Sequence, residues 1–299
     1  MDDLTVTADV VAPRRTIERI HDATRLGRRI DDWRADGLRI GFVPTMGALH
    51  EGHLSLVRRA GALADRVVAS IFVNPTQFGP GEDLDSYPRS PTRDTELLEQ
   101  AGCDLVFLPS AETIYPPGDS TRVDVAGPSA GFEGAERPGH FRGVATVVLK
   151  LLQLVRPHLA VFGQKDAQQL AVVRRMVRDL HLPVEIVAAP IVREDDGLAM
   201  SSRNVYLDGE QRRAAAVLHR ALHDAEALVA AGERRAAPLI DAVRARLAEE
   251  PSGSVDYVAV VDAETFAPVD TLTAPAVLPI AVRFGATRLL DNCLLQPVP

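Results

Sequence analysis

The sequence predicts an α/β fold, a Rossmann-like parallel sheet flanked by helices, joined to a smaller α+β C-terminal domain. Two observations point there. From about residue 38 to 190, short apolar runs alternate with helical patterns, as βαβ units with a mostly parallel sheet require. Beyond residue 191 the texture changes to Ala/Arg-rich helical stretches followed by strand-like runs. A chain of 299 residues has room for two unequal domains, which we expect at 1–190 and 191–299.

In chain order, residues 1–15 read as a loose lead-in. Apolar runs predict strands at 38–44, 67–73, 104–108, 159–162 and 184–188. Helical spacing between and after them predicts helices at 53–63, 93–101, 144–155 and 168–180. In the second domain a long helix is expected at 209–230, with Leu218, Leu222, Ala225 and Val229 forming its apolar stripe. A second helix follows at 238–249, then strands at 256–261 and 277–284. No internal repeat is visible.

The composition, 46% hydrophobic and 25% charged, is that of an ordinary globular chain. A net charge of −8 argues against general nucleic-acid binding, which rests on accumulated positive charge. Cys103 and Cys293 are too few for a disulfide framework and lack metal-ligand spacing, so a reducing compartment is expected. The N-terminus shows no secretory pattern and no apolar stretch suits a membrane span. The expected location is cytoplasmic, with no membrane and no nucleic-acid partner.

All but two of the 33 basic residues are arginine. The exceptions, Lys150 and Lys165, invite the question of what a compact ammonium does that a guanidinium cannot. Lys150 sits in an apolar helical run and reads as a snorkelling helix residue. Lys165 follows an apolar strand within Val161-Phe162-Gly163-Gln164-Lys165-Asp166, where a flexible point charge suits a moving phosphate.

The densest signal is Pro44-Thr45-Met46-Gly47-Ala48-Leu49-His50-Glu51-Gly52-His53. A strand ends, a glycine turn follows and a helix begins, which is a natural anion site. His50 and His53 share one side of the helix start, and Gly52 leaves room for a phosphate to approach. Two imidazoles there can stabilise a pentavalent phosphorus or protonate a leaving group. Gly197 to Asn204 supplies Ser201, Ser202 and Arg203 as further phosphate contacts on a loop able to close. Phe72 to Phe78 brings amides, among them Gln77, to another strand end. His140 and Arg142 are possible extra donors. Asp83, Asp85 and Asp94 are carboxylates able to hold Mg²⁺ through water. The remaining histidines have no supporting context.

Four separated segments, Pro44 to His53, Ile71 to Phe78, Gly163 to Asp166 and Met200 to Asn204, resemble those of the pantothenate synthetases (pantoate–β-alanine ligases). The likeness runs from about residue 38 to the C-terminus and includes Thr287-Arg288-Leu289-Leu290-Asp291-Asn292. It implies a ligase that condenses pantoate with β-alanine through pantoyl adenylate, consuming ATP with Mg²⁺ and releasing pyrophosphate and AMP. Carried over by position, Met46, Gly47, Ala48, Leu49, His50, Glu51, Gly52 and His53 line the ATP site, with His53 as proton donor. Gly163, Gln164, Lys165 and Asp166 contact the nucleotide, the backbone at Val192 lies near adenine, and Met200, Ser201, Ser202 and Arg203 form a closing phosphate loop. Gln77 and Gln169 match the pantoate-binding glutamines, and Asp94 is the best match on the Mg²⁺ side. Family members are usually homodimers. The chain departs from many relatives at Gln164, where they have Glu, and at Ala167, where they have an aromatic.

Other readings share parts of this pattern. A nucleotidyltransferase acting on a phosphorylated acceptor would keep the two histidines and the Ser-Ser-Arg segment, yet would not need paired glutamines. A truncated aminoacyl-tRNA synthetase would need a basic face. An ATP-sensing module would tolerate loss of His53. A metal hydrolase using His50, His53 and His140 would need one more ligand.

Overall fold

The computed structural model describes residues 16–297, so the expected lead-in at 1–15 lies outside the described residues. The chain opens with β1 (Glu18–Ile20) and α1 (Ala23–Ala35), followed by β2 (Ile40–Thr45), α2 (Glu51–Gly61), β3 (Arg66–Ile71) and α3 (Pro91–Gln100). Then come β4 (Leu105–Phe107), the short helices α4 (Ala111–Ile114) and α5 (Phe132–Glu136), α6 (His140–Val155), β5 (Leu159–Gly163), α7 (Ala167–Asp179) and β6 (Glu185–Ala189).

The first six strands form one parallel sheet in the order β1-β4-β3-β2-β5-β6. Both faces of the central strands β2 to β5 are buried, which is why these read as largely apolar runs. Phe42, Val68, Phe107 and Phe162 meet α1, α6 and α7 on one face. Val43, Ala69, Val106 and Val161 meet α2 and α3 on the other. Strand order reverses between β2 and β5, and the crevice at such a switch point, beyond the strands' C-terminal ends, is where open α/β sheets bind ligands.

β1 and α1 lie in a stretch for which the apolar pattern predicts no element. Local signals are nevertheless present: Asp22 caps α1 by accepting from the Arg25 backbone N–H at 2.7 Å, and Leu26 and Ile30 make its buried stripe. β1 is only three residues long and becomes a strand by pairing with β4.

The smaller domain holds α8 (Gly209–Ala214), α9 (Val217–Ala230), α10 (Ala236–Ala248), β7 (Gly253–Val258), β8 (Val261–Asp262), β9 (Ala276–Phe284) and β10 (Thr287–Leu295). Its antiparallel sheet, ordered β10-β9-β7 with β8 beside β9, packs against α9 and α10 around Leu218, Leu222, Leu239, Leu278 and Phe284. The single helix expected at 209–230 is two. Arg212 on α8 is tied to Glu194 and Asp196, whereas α9 turns its stripe into the core. The break falls at Ala215 and Ala216, whose small side chains are buried. β10 escapes the sequence pattern because Arg288, Asp291 and Asn292 interrupt its apolar run, although Leu289, Cys293 and Leu295 face the core.

Candidate active site

At the end of β2 the chain makes a tight turn with Gly47 at φ +88° and Ala48 at φ +52°. A Cβ on Gly47 would sit 3.0 Å from an Asp94 carboxylate oxygen and 3.1 Å from Ile71, so the turn requires glycine on both conformation and space. Asp94, on α3 and 2% exposed, accepts the backbone N–H groups of Ala48 and Leu49, each at 2.9 Å. Each carboxylate oxygen thus holds one turn amide, which leaves the Mg²⁺ role expected for Asp94 only the remaining lone pairs.

His50 is the N-cap of α2. Its Nδ1 accepts the Gly52 backbone N–H at 3.1 Å, and His53 Nδ1 accepts the His50 backbone N–H at 3.4 Å. Both rings therefore carry their proton on Nε2 when neutral. Burial holds both imidazoles well below the ordinary range. His53 is pushed to about 3, with His50 beside it as the next cause. His50 is pushed to about 4, with the Lys165 ammonium as the next cause. The rings lie 4.1 Å apart. A Cβ on Gly52 would meet His50 ring atoms at 2.8 and 2.9 Å, so the space at Gly52 seats the imidazole rather than the phosphate expected there.

Across the switch point, β5 runs into a 3₁₀ turn at Gln164–Asp166 that projects Lys165 beside Asp166, 3.9 Å away. After β3, a second 3₁₀ turn, Pro75–Gln77, presents Gln77. Asn74 Nδ2 donates to Gln77 Oε1 at 3.0 Å, and the Gln77 carbonyl meets His140 Nδ1 at 2.9 Å. Tyr115 and Thr76 hydroxyls donate to Asn74 Oδ1 at 2.8 and 3.0 Å, which leaves the Asn74 amide one orientation.

A cavity of about 250 Å³ collects these groups: Met46, His50, Gly52, His53, Gln77, Gly163, Lys165, Asp166, Gln169, Val192, Met200, Ser201, Ser202 and Arg203 line it. A second cavity of about 520 Å³ between the two sheets shares Lys165, Asp166, Gln169, Ser201 and Arg203. The loop that carries Met200 to Arg203 is strapped down, with Met200 N–H donating to the Val192 carbonyl at 3.0 Å and Arg203 paired to Asp83 at 3.1 Å.

Several expected site residues face elsewhere. Leu49 is core, Glu51 pairs with Arg58 on the surface, and Gln164 donates to Asn292. Gly47 and Ala48 shape the turn without lining the cavity. His140 does line both cavities while holding the Gln77 carbonyl, whereas Arg142 reaches an exposed Asp124. Lys150 does not snorkel to solvent: it pairs with Asp119, donates to the Ile114 carbonyl at 2.8 Å and lies 4.6 Å over the Tyr115 ring. Tyr87 and Arg137 also line the cavity, and the sequence reading does not single them out. They come from long polar segments with no periodicity or motif to mark them.

Among the described residues no group of three or more His, Cys, Asp or Glu could hold a metal ion, and none of the helices is long and apolar enough to cross a membrane. His140 Nδ1 meets the Gln77 carbonyl and its Nε2 faces the Arg137 guanidinium at 3.1 Å, so both ring nitrogens are already engaged.

The chain is similar to known proteins over most of its length. The family model for pantoate-beta-alanine ligase matches residues 18–294, so the likeness begins some twenty residues before the point at which the motifs become legible. The pantothenate synthetase of Roseiflexus sp. (strain RS-1) is 59% identical over 256 residues, 86% of this chain and 92% of that one. That of Heliobacterium modesticaldum is 54% identical over 282 residues, covering 94% and 99%. The crystal structure of pantothenate synthetase from Thermus thermophilus superposes with a TM-score of 0.87 at 50% identity, covering 94% of this chain and all of that one. A pantoate-beta-alanine ligase from Francisella tularensis, complexed with beta-gamma ATP and beta-alanine, gives 0.74 at 32% identity, covering 93% and 97%. With its strand-end turns, its paired imidazoles and a family match over nearly the whole length, the chain belongs to the pantoate–β-alanine ligase family.

Proposed function

We propose a division of labour for the family's reaction, the ATP-dependent condensation of pantoate with β-alanine through pantoyl adenylate. A pantoate carboxylate oxygen attacks the α-phosphorus of ATP and pyrophosphate leaves. The β-alanine amine then attacks the acyl carbon, and AMP leaves as pantothenate forms. The observation that carries the assignment is the meeting of three turns, distant in sequence, in one 250 Å³ cavity.

His50 and His53 act as neutral Nε2–H donors to the phosphates, because both Nδ1 atoms already accept backbone N–H groups. Charge developing on the phosphates then meets donors that need no reorganisation. Lys165 accompanies the departing pyrophosphate, and Ser201, Ser202 and Arg203 close over it once Arg203 exchanges Asp83 for phosphate. Gln77 and Gln169 bind pantoate, whose branched carbon suits the apolar wall of Phe72, Val144, Val147 and Leu151.

Asp94 is a poor Mg²⁺ ligand, since each of its oxygens already accepts a backbone amide. The ion belongs to the ATP phosphates, and no step is assigned to it. The domain boundary at 190/191 makes the smaller domain a lid that shields the adenylate from water. A homodimer in the cytoplasm completes the reading; family habit supports the dimer, and two buried free thiols suit a reducing compartment. The test is pyrophosphate release from the purified protein with ATP, Mg²⁺ and pantoate. One turnover of pyrophosphate without β-alanine, and steady AMP with it, is expected. No pantoate-dependent release would return the site to a nucleotidyltransferase with another acceptor.

A further inference from the structure

The segment Thr287 to Asn292 on β10 has no role in the scheme above, yet it is where the smaller domain touches the catalytic turns. Asn292 is 2% exposed. Its Nδ2 donates to the carbonyls of Gln164 and Lys165 at 3.0 and 2.9 Å, and its Oδ1 accepts from Gln164 Nε2 at 3.4 Å. Both donors and the acceptor of this buried amide are therefore committed to the turn that carries Lys165. Its neighbour Asp291, whose side chain is wholly buried, takes Arg193 in a two-pronged pair at 2.6 and 3.0 Å. Arg193 in turn donates to the Gly197 carbonyl at 3.0 Å, ahead of the Met200–Arg203 loop. The two residues are successive on a strand and so face opposite ways. One reaches the lysine turn and the other the stretch leading to the serine loop.

We propose that Asn292 is a positioning residue for Lys165: by holding the carbonyls of the Gln164–Lys165 turn, the smaller domain sets where the lysine ammonium stands over the departing phosphates. The inference rests on the assignment of Lys165 to pyrophosphate departure. A reacting group displaced by about 1 Å can cost on the order of a hundredfold in rate, and a grip on the lysine's own carbonyl and the one before it controls displacements of that size. Asn292 lines the larger cavity but not the 250 Å³ one that holds the histidines, so its effect on pyrophosphate departure passes through the Gln164–Lys165 turn.

The test is a double-mutant cycle. Asn292→Ala and Asn292→Asp are each made in the parent and in Lys165→Ala, and the single-turnover rate of pyrophosphate formation is measured with ATP and pantoate. Asn292→Asp keeps the size of the side chain while facing two carbonyls with a charge, so it serves if the alanine variant folds poorly. Aminolysis of preformed pantoyl adenylate by β-alanine is measured on the same proteins. In the parent, pyrophosphate formation should fall about 10- to 100-fold, with the pantoate KM and the aminolysis rate little changed. In Lys165→Ala the same substitutions should change the rate by no more than about twofold. Equal losses in both backgrounds, or equal losses in both half-reactions, would overturn the proposal and leave Asn292 as a docking contact between domains. No loss in the parent would overturn it too. If Lys165→Ala itself leaves pyrophosphate formation unchanged, the role of the lysine fails first and Asn292 has nothing to position.

Discussion

Two turns face the 250 Å³ cavity across the switch point, and they are braced from different places. The turn after β2 is held by its own domain: Asp94 on α3 takes the Ala48 and Leu49 amides, and Thr45 Oγ1 donates to the Ser70 carbonyl at 2.7 Å. The turn after β5 is gripped by Asn292 from the smaller domain, and the stretch leading to the Met200–Arg203 loop is gripped by Asp291 through Arg193. The histidines therefore stand on a floor that does not depend on how the domains sit. The lysine and the serine loop depend on it. If the smaller domain acts as the proposed lid, such a division would let its docking assemble the charge-bearing half of the site.

The largest expected effect breaks the second brace. Arg193→Met leaves the Asp291 carboxylate buried without its cation and should lower stability by about 3–5 kcal/mol, read as a shifted urea midpoint. A loss under about 1 kcal/mol would mean that solvent reaches Asp291 and that this brace is weak. Next, Lys165→Ala should slow pyrophosphate formation about 10²-fold or more, the loss seen when one preorganised donor is removed. Single-turnover quench-flow measures it, and an unchanged burst would remove the lysine from the reaction.

Cutting the first brace is a smaller change. Asp94→Ala orphans two backbone N–H groups and should cost about 2 kcal/mol of stability. In Asp94→Asn, the Mg²⁺ concentration for half-maximal activity should stay where it is in the parent. A marked shift would return Asp94 to the metal side. The smallest effect concerns pH. His50 and His53 are held below their ordinary value of 6.5 in the folded protein, so unfolding takes up protons. Stability from this source is complete above about pH 6.5 and is lost progressively as pH falls through about 4 and about 3. A His50→Gln, His53→Gln double variant should show a flatter decline over that window by thermal unfolding. A decline as steep as the parent's would mean that the rings are already charged in the folded state.

The strands β2 to β6 are legible in the sequence because each is largely apolar, most fully in β2 to β5, where both faces are buried. The histidine pair, Lys165 and Gln77 are legible because each follows such a run within a few residues. Tyr87 and Arg137 are not, since nothing within the long polar segments that carry them marks a cavity wall. Leu49, Glu51 and Gln164 show the opposite error. They stand inside a motif, yet a core, a surface ion pair and an interdomain amide claim their side chains.

By itself the sequence determined the strand–turn–helix junctions, their order and the chemistry they bring, because those signals are local: an apolar run, a glycine with positive φ and a capping side chain lie within one short stretch. What Asp94 does, and what Asn292 holds, only the tertiary structure decided. Those contacts join residues 45 and 46, or 127 and 128, positions apart. A carboxylate or an amide reads alike whether it meets a metal, a ligand or a backbone group, and only the packing of α3 and β10 against the turns brings the partner that settles which it is.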